Sequence, residues 1–310
     1  MSGAQAKASK IAGCIGVIAE INEAALKKRH DQGWLDEYTA DLNELVQLIK
    51  KYRGEKKAVS IGYLGNVVDM WEHLATEKEN LIDLGSDQTS LHNPYLGGYY
   101  PTGMTFEESN KMMSQDPDEF QKRVQESLRR HIAAVDKLAK NGMYFWDYGN
   151  AFLVECQRAG VPMLKEGAKD DKTFRYPSYM QDIMGDIFSM GFGPFRWICT
   201  SAHESDLQET DRIAIEVFNK LVQEDGGKWI MDAEKNDLCV GTRARILYSD
   251  QAGRIALARA FNEAIQTKSN NPKGTIRNPV IISRDHHDVS GTDSPFRAVV
   301  PGTVHDSIRQ

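Results

Sequence analysis

Small and polar residues follow several predicted strands of this sequence, at the point where each strand ends. Gly65 and Asn66 come after the apolar run Ala58–Leu64, and residues 86–90 (SDQTS) come after a shorter run. Residues 147–150 (DYGN) follow a fourth run, MYFW. Because open parallel sheets bind ligands at the carboxyl ends of their strands, the sequence predicts a nucleotide-type site there. The alternative is that each group is only a turn or a helix cap, roles that favour Asn and Ser.

A second sign of nucleotide binding lies at the start of the sequence. Ser2, Gly3 and Ala4 open a predicted helix, whose free N–H groups could receive a phosphate. A Gly-rich turn is a phosphate signal only between a strand and a helix, and the sequence shows only the helical half. Glu20 ends the next predicted strand, where a carboxylate can accept hydrogen bonds from ribose hydroxyls. The alternative for Glu20 is a solvated acid at a strand end.

The second half of the chain carries a dense group of ionisable residues, RDHHD at Arg284–Asp288. Two carboxylates, two imidazoles and a guanidinium this close suggest acid–base chemistry or a divalent metal. Adjacent His286 and His287 point apart on extended backbone, which argues against a shared metal. In a structural alternative, Asp285 caps a turn and pairs with the neighbouring arginine. Arg196, in GPFRW, suits bidentate binding of a carboxylate substrate, and its alternative is a buried ion pair or a cation–π contact.

The elements that would position these residues alternate between helices and short apolar strands. Cys14–Ile21 and Ala58–Leu64 are predicted strands, and Leu35–Tyr52 is predicted to be helical, with apolar residues every three or four positions. This alternation is typical of βαβ units. We therefore predict an α/β fold, with a Rossmann-like parallel sheet that has helices on both faces, followed by part of a second α/β domain.

The domain boundary is predicted at a charged stretch, residues 165–172 (KEGAKDDK). This boundary gives a nucleotide-binding domain at 1–172, expected to lack its first strand, and a partial second domain at 173–310. Within the first domain, Leu84 to Thr105 is rich in Gly, Pro, Asn and Tyr and has no helical periodicity. Loops this long in compact domains are usually functional.

Composition excludes several classes of protein. With 38 Lys and Arg against 44 Asp and Glu, the formal net charge is -6, which argues against general binding to nucleic acid or anionic membranes. No apolar run approaches the ~20 residues that a bilayer span needs. The 4 cysteines form no CxxC pair, so reduced thiols are expected. The sequence therefore predicts a cytoplasmic protein that acts on a small molecule.

Six motifs of the sequence resemble those of the urocanase family. They are SGAQ at the start, YLGN at Tyr63–Asn66, DQTSLHNP at Asp87–Pro94 with GYYP behind it, WDYGNA at Trp146–Ala151, GPFRW at Gly193–Trp197, and RDHHDVSGTDSPFR at Arg284–Arg297. They occur in the family's order and with little insertion, from residue 1 to about Arg297.

The resemblance implies an enzyme of histidine degradation that adds water to urocanate, giving imidazolonepropionate. It also implies tightly bound NAD+, used as an electrophile instead of a hydride carrier, and a homodimer. Arg196 would bind the substrate carboxylate, and Asp285, His286 and Asp288 are the candidates for proton transfer. Carried over residue by residue, the NAD contacts would fall on Met1, Ser2, Gly3 (phosphates), Glu20 (ribose), Asn66, Val67, Gln88, Thr89, Ser90, Leu91, His92, Tyr99, Tyr100 and Tyr148.

The chain also departs from the family's pattern. Leu247, in ARIL, stands where bacterial members carry a cysteine long discussed as the active-site thiol. The Gly-rich segments expected before residue 1 and after SPFR are absent from the sequence, and residues 298–310 match nothing expected there. A truncated chain that binds NAD+ weakly is the resulting prediction. Two other interpretations remain open here: an NAD-dependent dehydrogenase, and a non-catalytic fragment that binds NAD.

Overall fold

A computed structural model of the chain describes residues 3–170, 173–189, 192–221, 230–231, 235, 243–266 and 271–284. The chain forms two compact units that divide after Tyr179, called unit 1 and unit 2 below. Within those ranges, no helix is both long and apolar enough to cross a bilayer.

The strands of unit 1 pair in parallel. They are β1 (Ile15–Glu20), β2 (Glu37–Thr39), β3 (Val59–Leu64), β4 (Leu84–Gly85) and β5 (Tyr144–Phe145). One sheet has the order β1-β3-β2 and a second has the order β4-β5. In the first, β1 and β3 are in register from Ile15 opposite Val59 to Glu20 opposite Leu64. The predicted parallel α/β architecture is confirmed for this unit.

Helices connect these strands, and most begin at a capping side chain. They are α1 (Gly3–Ile11), α2 (Glu23–Asp31), α3 (Leu42–Glu55), α4 (Val67–Leu74), α5 (Phe106–Gln115), α6 (Pro117–Lys140) and α7 (Phe152–Arg158). Asn22, Asp41, Asn66, Thr105 and Asp116 each accept a hydrogen bond from a first-turn backbone N–H, which satisfies donors that the helix itself leaves unpaired.

The prediction that Leu35–Tyr52 is helical was wrong over its first third. Glu37–Thr39 forms β2 and pairs with β3, and the helix begins only at Leu42. The Asp41 side chain accepts from the backbone N–H groups of residues 43 and 44 at 2.7 and 2.9 Å, so the chain cannot continue a helix back through it. Pairing with a buried strand outweighed local helix propensity here.

The core of unit 1 packs β3 and β5 against the helices α3, α4, α6 and α7. The apolar face of α6 repeats every three or four positions, which buries one stripe of the helix. Phe145 of β5 and Phe152 of α7 pack in the same cluster, with ring centroids 5.8 Å apart. The members of that stripe are fully or almost fully buried: Phe120, Val124, Leu128, Ile132 and Val135.

Helix α1 packs closely on β1, and a glycine makes this possible. A Cβ at Gly16 would lie 1.9 Å from the Oγ of Ser9, much nearer than van der Waals contact allows. Only glycine leaves room for the helix at that distance.

Unit 2 consists of an antiparallel sheet with helices packed on it. Its described elements are α8 (Gly185–Ser189), β6 (Gly193–Cys199), α9 (Glu204–Lys220), β7 (Ala244–Ser249), α10 (Gln251–Ala264) and β8 (Val280–Arg284). The strand order is β7-β6-β8. Phe195, Trp197, Phe218 and Phe261 form the centre of its core. Arg245 and Asp211, both almost fully buried, form an ion pair at 2.5 Å, since neither charge could be buried alone without a large penalty.

Candidate functional site

A crevice of about 480 Å³ lies at the carboxyl ends of the strands of unit 1. Its walls are the end of β1, the turn before α4, and the segments 86–90 and 97–100. Its volume is within the roughly 300–1,000 Å³ of small-molecule sites. The predicted cofactor residues that line it are Glu20, Asn66, Val67, Gln88, Thr89, Ser90, Tyr99 and Tyr100.

Asn66 joins two walls of the crevice. Its side-chain oxygen accepts from the backbone N–H of Val68 at 2.9 Å, which caps α4. Its amide nitrogen donates to the backbone carbonyl of Tyr100, also at 2.9 Å. One buried side chain therefore sets the start of α4, whose partial positive charge faces the crevice. The same side chain sets the position of residues 97–100, called the tyrosine loop below.

The tyrosine loop closes on itself through a second glycine. The Ser90 N–H donates to the Gly98 carbonyl at 3.0 Å, and a Cβ at Gly98 would lie 2.0 Å from the Ser90 carbonyl oxygen. This close approach of backbone to backbone brings Tyr99 and Tyr100 back beside residues 88–90.

The Tyr99 hydroxyl forms a hydrogen bond with a buried histidine. The Tyr99 hydroxyl lies 3.0 Å from Nδ1 of His131, on α6, and the two side chains are 1% and 0% exposed. Burial lowers the pKa of His131 to about 3, because an imidazolium would lose its hydration there. The imidazole is therefore neutral in the folded protein at ordinary pH, and it fixes the tyrosine ring at the crevice wall.

Glu20 supplies the carboxylate of the crevice. Its Oε1 accepts from the backbone N–H of Asn22 at 2.9 Å, which orients the carboxylate at the end of β1. Burial is the main cause of the raised pKa of Tyr100, which lies across the crevice. The negative charge of Glu20 raises this pKa further. A carboxylate in this position can accept hydrogen bonds from sugar hydroxyls.

Asp87, which also lines the crevice, is the centre of a buried hydrogen-bond cluster. Its Oδ2 accepts from the Thr89 hydroxyl at 2.6 Å, the Thr89 backbone N–H at 3.1 Å and the Asn150 amide at 2.6 Å. The same amide donates to the Thr89 carbonyl at 2.9 Å. Asn150 thus ties the loop after β5 to the loop after β4, which carries Gln88, Thr89 and Ser90.

Asp147 is a second buried carboxyl, on the loop after β5. It is 7% exposed, and burial, with a smaller contribution from the charge of Asp87, raises its pKa to about 7. Among the described residues, Oδ1 of Asp147 and Oδ1 of Asp87 lack hydrogen-bond partners. Protonation of Asp147 relieves the cost of burying two carboxylates near each other.

The hydrogen bonds that Asn150 donates to Asp87 and to the Thr89 carbonyl are called the Asp87–Asn150 clamp below. They give a first testable prediction. Replacing Asn150 with Ala removes two donated hydrogen bonds, one of them to a carboxyl, and should cost about 1–3 kcal/mol of unfolding free energy. Replacing it with Asp sets a carboxyl against Asp87, so the loss should be larger at pH 8 than at pH 5. Denaturant unfolding, monitored by hydrogen exchange of residues 86–90, measures the loss of stability in both variants.

The control for this prediction is Asn43→Ala. Asn43 is exposed on α3, and such surface changes usually alter stability by less than about 0.5 kcal/mol. If Asn150→Ala were as stable as this control, the clamp would have no energetic role.

Three predicted cofactor residues of unit 1 lie outside the lining of the crevice. Leu91 is 1% exposed and belongs to the hydrophobic core, and His92 is exposed next to it. The Tyr148 ring stacks on Tyr179, with centroids 5.3 Å apart. Gly3 begins α1, whereas Met1 and Ser2 are outside the described residues.

The predicted substrate-side residues belong to unit 2 or lie beyond the described ranges. Arg196 is partly buried on β6, opposite Ile246 of β7 and Ser283 of β8. Leu247 is 3% exposed and packs in the core of unit 2, so a side chain at that position faces the interior of the unit. Asp285, His286 and Asp288 are outside the described residues.

Asp87 and Asp147 belong to the segments that were predicted to lie at strand ends, and each comes two residues after a short strand. Nothing in the sequence indicated that both carboxyls are buried. Sequence reasoning did not identify His131, because it occurs within the apolar stripe of α6 like any core residue.

The donor set of the crevice fits a dinucleotide in part. A carboxylate, an amide, hydroxyls and a helix start face it, as ribose and pyridine-amide groups would require. The described residues that line it include no Lys, Arg or His. Among these residues, backbone N–H groups and helix starts are the groups that could meet phosphate charge.

Two parts of the chain match the domains of a known protein family. Residues 1–183 match the family described as the urocanase Rossmann-like domain, and residues 186–303 match the urocanase C-terminal domain.

Curated relatives agree with these matches. The chain is 64% identical over 308 residues to a probable urocanate hydratase of Caenorhabditis elegans, and 55% identical over 312 residues to the urocanate hydratase of Mus musculus. Each comparison covers 96% of this chain and 45% of the relative. The chain therefore spans just under half the length of these relatives. On both family matches, which together cover nearly all of it, the chain belongs to the urocanase family.

Proposed function

We propose that the chain is the central part of a urocanate hydratase, which adds water to urocanate and gives imidazolonepropionate in histidine degradation. The observation that carries the proposal is the single crevice that collects Glu20, Asn66, residues 88–90 and Tyr99–Tyr100 at the strand ends. The names of the relatives support the reaction assigned to it.

We propose NAD+ as the cofactor of this crevice. Glu20 would accept hydrogen bonds from a ribose, Asn66 and the start of α4 would face a phosphate or an amide, and residues 88–90 with the two tyrosines would enclose the rest. When bound, NAD+ supplies a pyridinium cation that withdraws electrons from the substrate ring. The Asp87–Asn150 clamp and the His131–Tyr99 hydrogen bond keep the walls in place, so little reorganisation is needed on binding.

The substrate side of the reaction is assigned to the second domain, proposed at residues 173–310. The Arg196 guanidinium would bind the urocanate carboxylate in a bidentate manner, and Asp285, His286 and Asp288 would move protons. The NAD-binding domain is proposed at residues 1–172. A cytoplasmic location and a homodimer complete the proposal, both on the resemblance to the family.

Glu20→Gln tests the cofactor assignment. Charge-assisted hydrogen bonds are worth about 1.5–3 kcal/mol, so the variant should bind NAD+ at least ~10-fold more weakly than the parent chain. Titration calorimetry with NAD+ up to millimolar concentrations measures this difference in affinity. The matched control is Glu23→Gln, an exposed acid that pairs with Lys27 at 2.6 Å on α2 and does not line the crevice. Equal losses in the two variants would contradict the role of Glu20.

The reaction itself is tested by mixing the chain with urocanate and NAD+. A hydratase removes the ultraviolet band of urocanate and returns NAD+ unchanged. Growth of the absorbance band of reduced nicotinamide would instead indicate a dehydrogenase. If neither band changes while NAD+ binds, the chain alone is a cofactor-binding part without activity.

A further inference from the structure

The charged residues that line the crevice are both acidic, within the described part of the chain. They are Glu20 and Asp87, and no described Lys, Arg or His shares the lining with them. Aromatic rings attract cations through the negative charge on their faces, and four aromatic side chains also line the crevice: Trp71, Tyr99, Tyr100 and Phe106. Carboxylates and aromatic rings together suit a flat ligand that carries a positive charge.

Asp87 holds a negative charge in the interior of unit 1. It is 3% exposed, and its Oδ2 accepts hydrogen bonds from the Thr89 hydroxyl, the Thr89 backbone N–H and the Asn150 amide. Burial raises the pKa of Asp87, and these bonds oppose the rise because they favour the charged form. The charge of Asp87 in turn contributes to raising the pKa of Asp147 to about 7. Asp147 is therefore the acid of this pair that takes up a proton first as the pH falls.

The other oxygen of Asp87, Oδ1, has no hydrogen-bond partner among the described residues. A buried charge is weakly screened, so it acts on groups that it does not touch. Glu20 differs, because it is partly exposed and its Oε1 accepts from the backbone N–H of Asn22. Water and dissolved ions screen a charge in that position. Asp87 is therefore the stronger source of negative potential in the crevice.

The next residue, Gln88, leaves a donor unpaired. Its Nε2 is buried and has no hydrogen-bond partner within the described ranges, and Gln88 lines the crevice with Asp87. Buried polar groups without partners are rare in folded proteins. An unpaired acceptor and an unpaired donor on adjacent residues match the N–H and C=O groups of a planar carboxamide.

We propose that the crevice selects a positively charged carbamoyl-pyridine ring, and that Asp87 is the residue that sets this selectivity. A pyridine nucleotide has a cationic ring when oxidised and a neutral ring when reduced, so the oxidised form binds more tightly. The inference rests on the proposed function, because it names the part of the dinucleotide that the crevice distinguishes. A tenfold preference for the oxidised form lowers the reduction potential of the bound nucleotide by about 30 mV. Such a shift disfavours hydride uptake, as a cofactor that leaves the reaction unreduced requires.

Titration calorimetry of the parent chain with NAD+ and with NADH tests the proposal. NAD+ should bind at least ~10-fold more tightly than NADH, and Asp87→Asn should reduce this ratio to about threefold or less, since it removes a weakly screened charge. The ratio is the informative quantity, because general damage to the crevice weakens both nucleotides alike. The matched control is Asp83→Asn, just before β4, whose side chain is 75% exposed. This variant should keep the ratio of the parent chain.

Two further arms separate Asp87 from the overall charge of the chain and from loss of folding. At about 0.5 M salt, exposed charges are screened within a few Å, so a preference caused by Asp87 should remain, whereas one caused by the net charge of -6 would disappear. 1-Methylnicotinamide and nicotinamide share the ring and the carboxamide and differ in ring charge. The parent chain should bind the cation more tightly in an NMR titration, a result that does not require Asp87→Asn to fold.

The outcomes distinguish this inference from the proposed function. Equal binding of NAD+ and NADH, a preference that salt removes, or an unchanged ratio in folded Asp87→Asn would overturn the role of Asp87 and leave the dinucleotide site in place. Equal binding of 1-methylnicotinamide and nicotinamide would also overturn it. Binding of neither nucleotide would contradict the dinucleotide site together with this inference.

Discussion

The variant Asp147→Asn is expected to be more stable than the parent chain at pH 8, by about 4 kcal/mol, and equally stable at pH 4. Burial raises the pKa of Asp147 from 3.8 to about 7, and each unit of difference between the folded and unfolded values is worth about 1.4 kcal/mol. Between these values the folded chain holds a proton that the unfolded chain has lost. The contribution of Asp147 to stability is therefore complete below pH 4, falls as the pH rises, and levels off above pH 7.

Asparagine keeps the shape of the protonated acid and does not titrate. Because a chain of two compact units need not unfold in a two-state transition, hydrogen exchange of residues 144–158 is the appropriate measurement, made from pH 4 to pH 8. The matched control is Asp118→Asn, an exposed acid at the start of α6, which should leave the pH profile unchanged. If parent and Asp147→Asn kept a constant difference at every pH, the raised pKa would be wrong.

The variant His131→Gln should show the opposite pH dependence. Burial lowers the pKa of His131 from 6.5 to about 3, so the unfolded chain gains a proton below pH 6.5 that the folded chain refuses. The stability therefore decreases as the pH falls, by about 4 kcal/mol at pH 3 and roughly 3 kcal/mol at pH 4.5. Glutamine removes the titration while keeping a group that can bond to the Tyr99 hydroxyl.

Loss of the ring contact with Phe152, at 4.7 Å between centroids, adds a cost to His131→Gln that does not depend on pH. The informative quantity is thus the slope of stability against pH, below pH 6.5. His73→Gln on α4 is the comparison, because the His73 side chain is only half-buried, whereas that of His131 is fully buried. Equal slopes in parent and His131→Gln would contradict the lowered pKa of His131.

The two residues together explain a further expectation for the parent chain. Between pH 4 and pH 6.5 the losses from Asp147 and His131 run in opposite directions and nearly cancel. The parent should therefore be flat in this range, whereas Asp147→Asn rises with pH and His131→Gln falls. Neither slope is visible until one of the residues is replaced.

The sequence was sufficient to predict the elements that carry the crevice. The strands around residues 15–20 and 59–64 are continuous apolar runs, and small or polar residues follow each of them. Asn66 and Gln88 could be assigned to one edge of a sheet because parallel strands end on the same side. The break between α5 and α6 occurs at Pro117, where the ring fixes the backbone.

Other features depend on contacts that no local pattern reveals. Tyr148 follows a strand just as Gln88 does, yet its ring stacks on Tyr179 instead of lining the crevice. The pKa of Asp147 comes from burial, which the order of residues cannot supply. Strand β7, with the sequence ARILYS, alternates exposed and buried residues. It was not predicted to be a strand, because its pairing with β6 is a long-range contact.

The proposal that the strand ends of unit 1 form a dinucleotide site can be tested by hydrogen exchange of the 310-residue chain, with and without about 10 mM NAD+, which saturates a site of millimolar Kd. We expect slower exchange in residues 17–22, 65–68, 86–90 and 97–100, and none of this protection in Glu20→Gln at the same concentration. Protection confined to other parts of the chain, or equal in parent and variant, would contradict it.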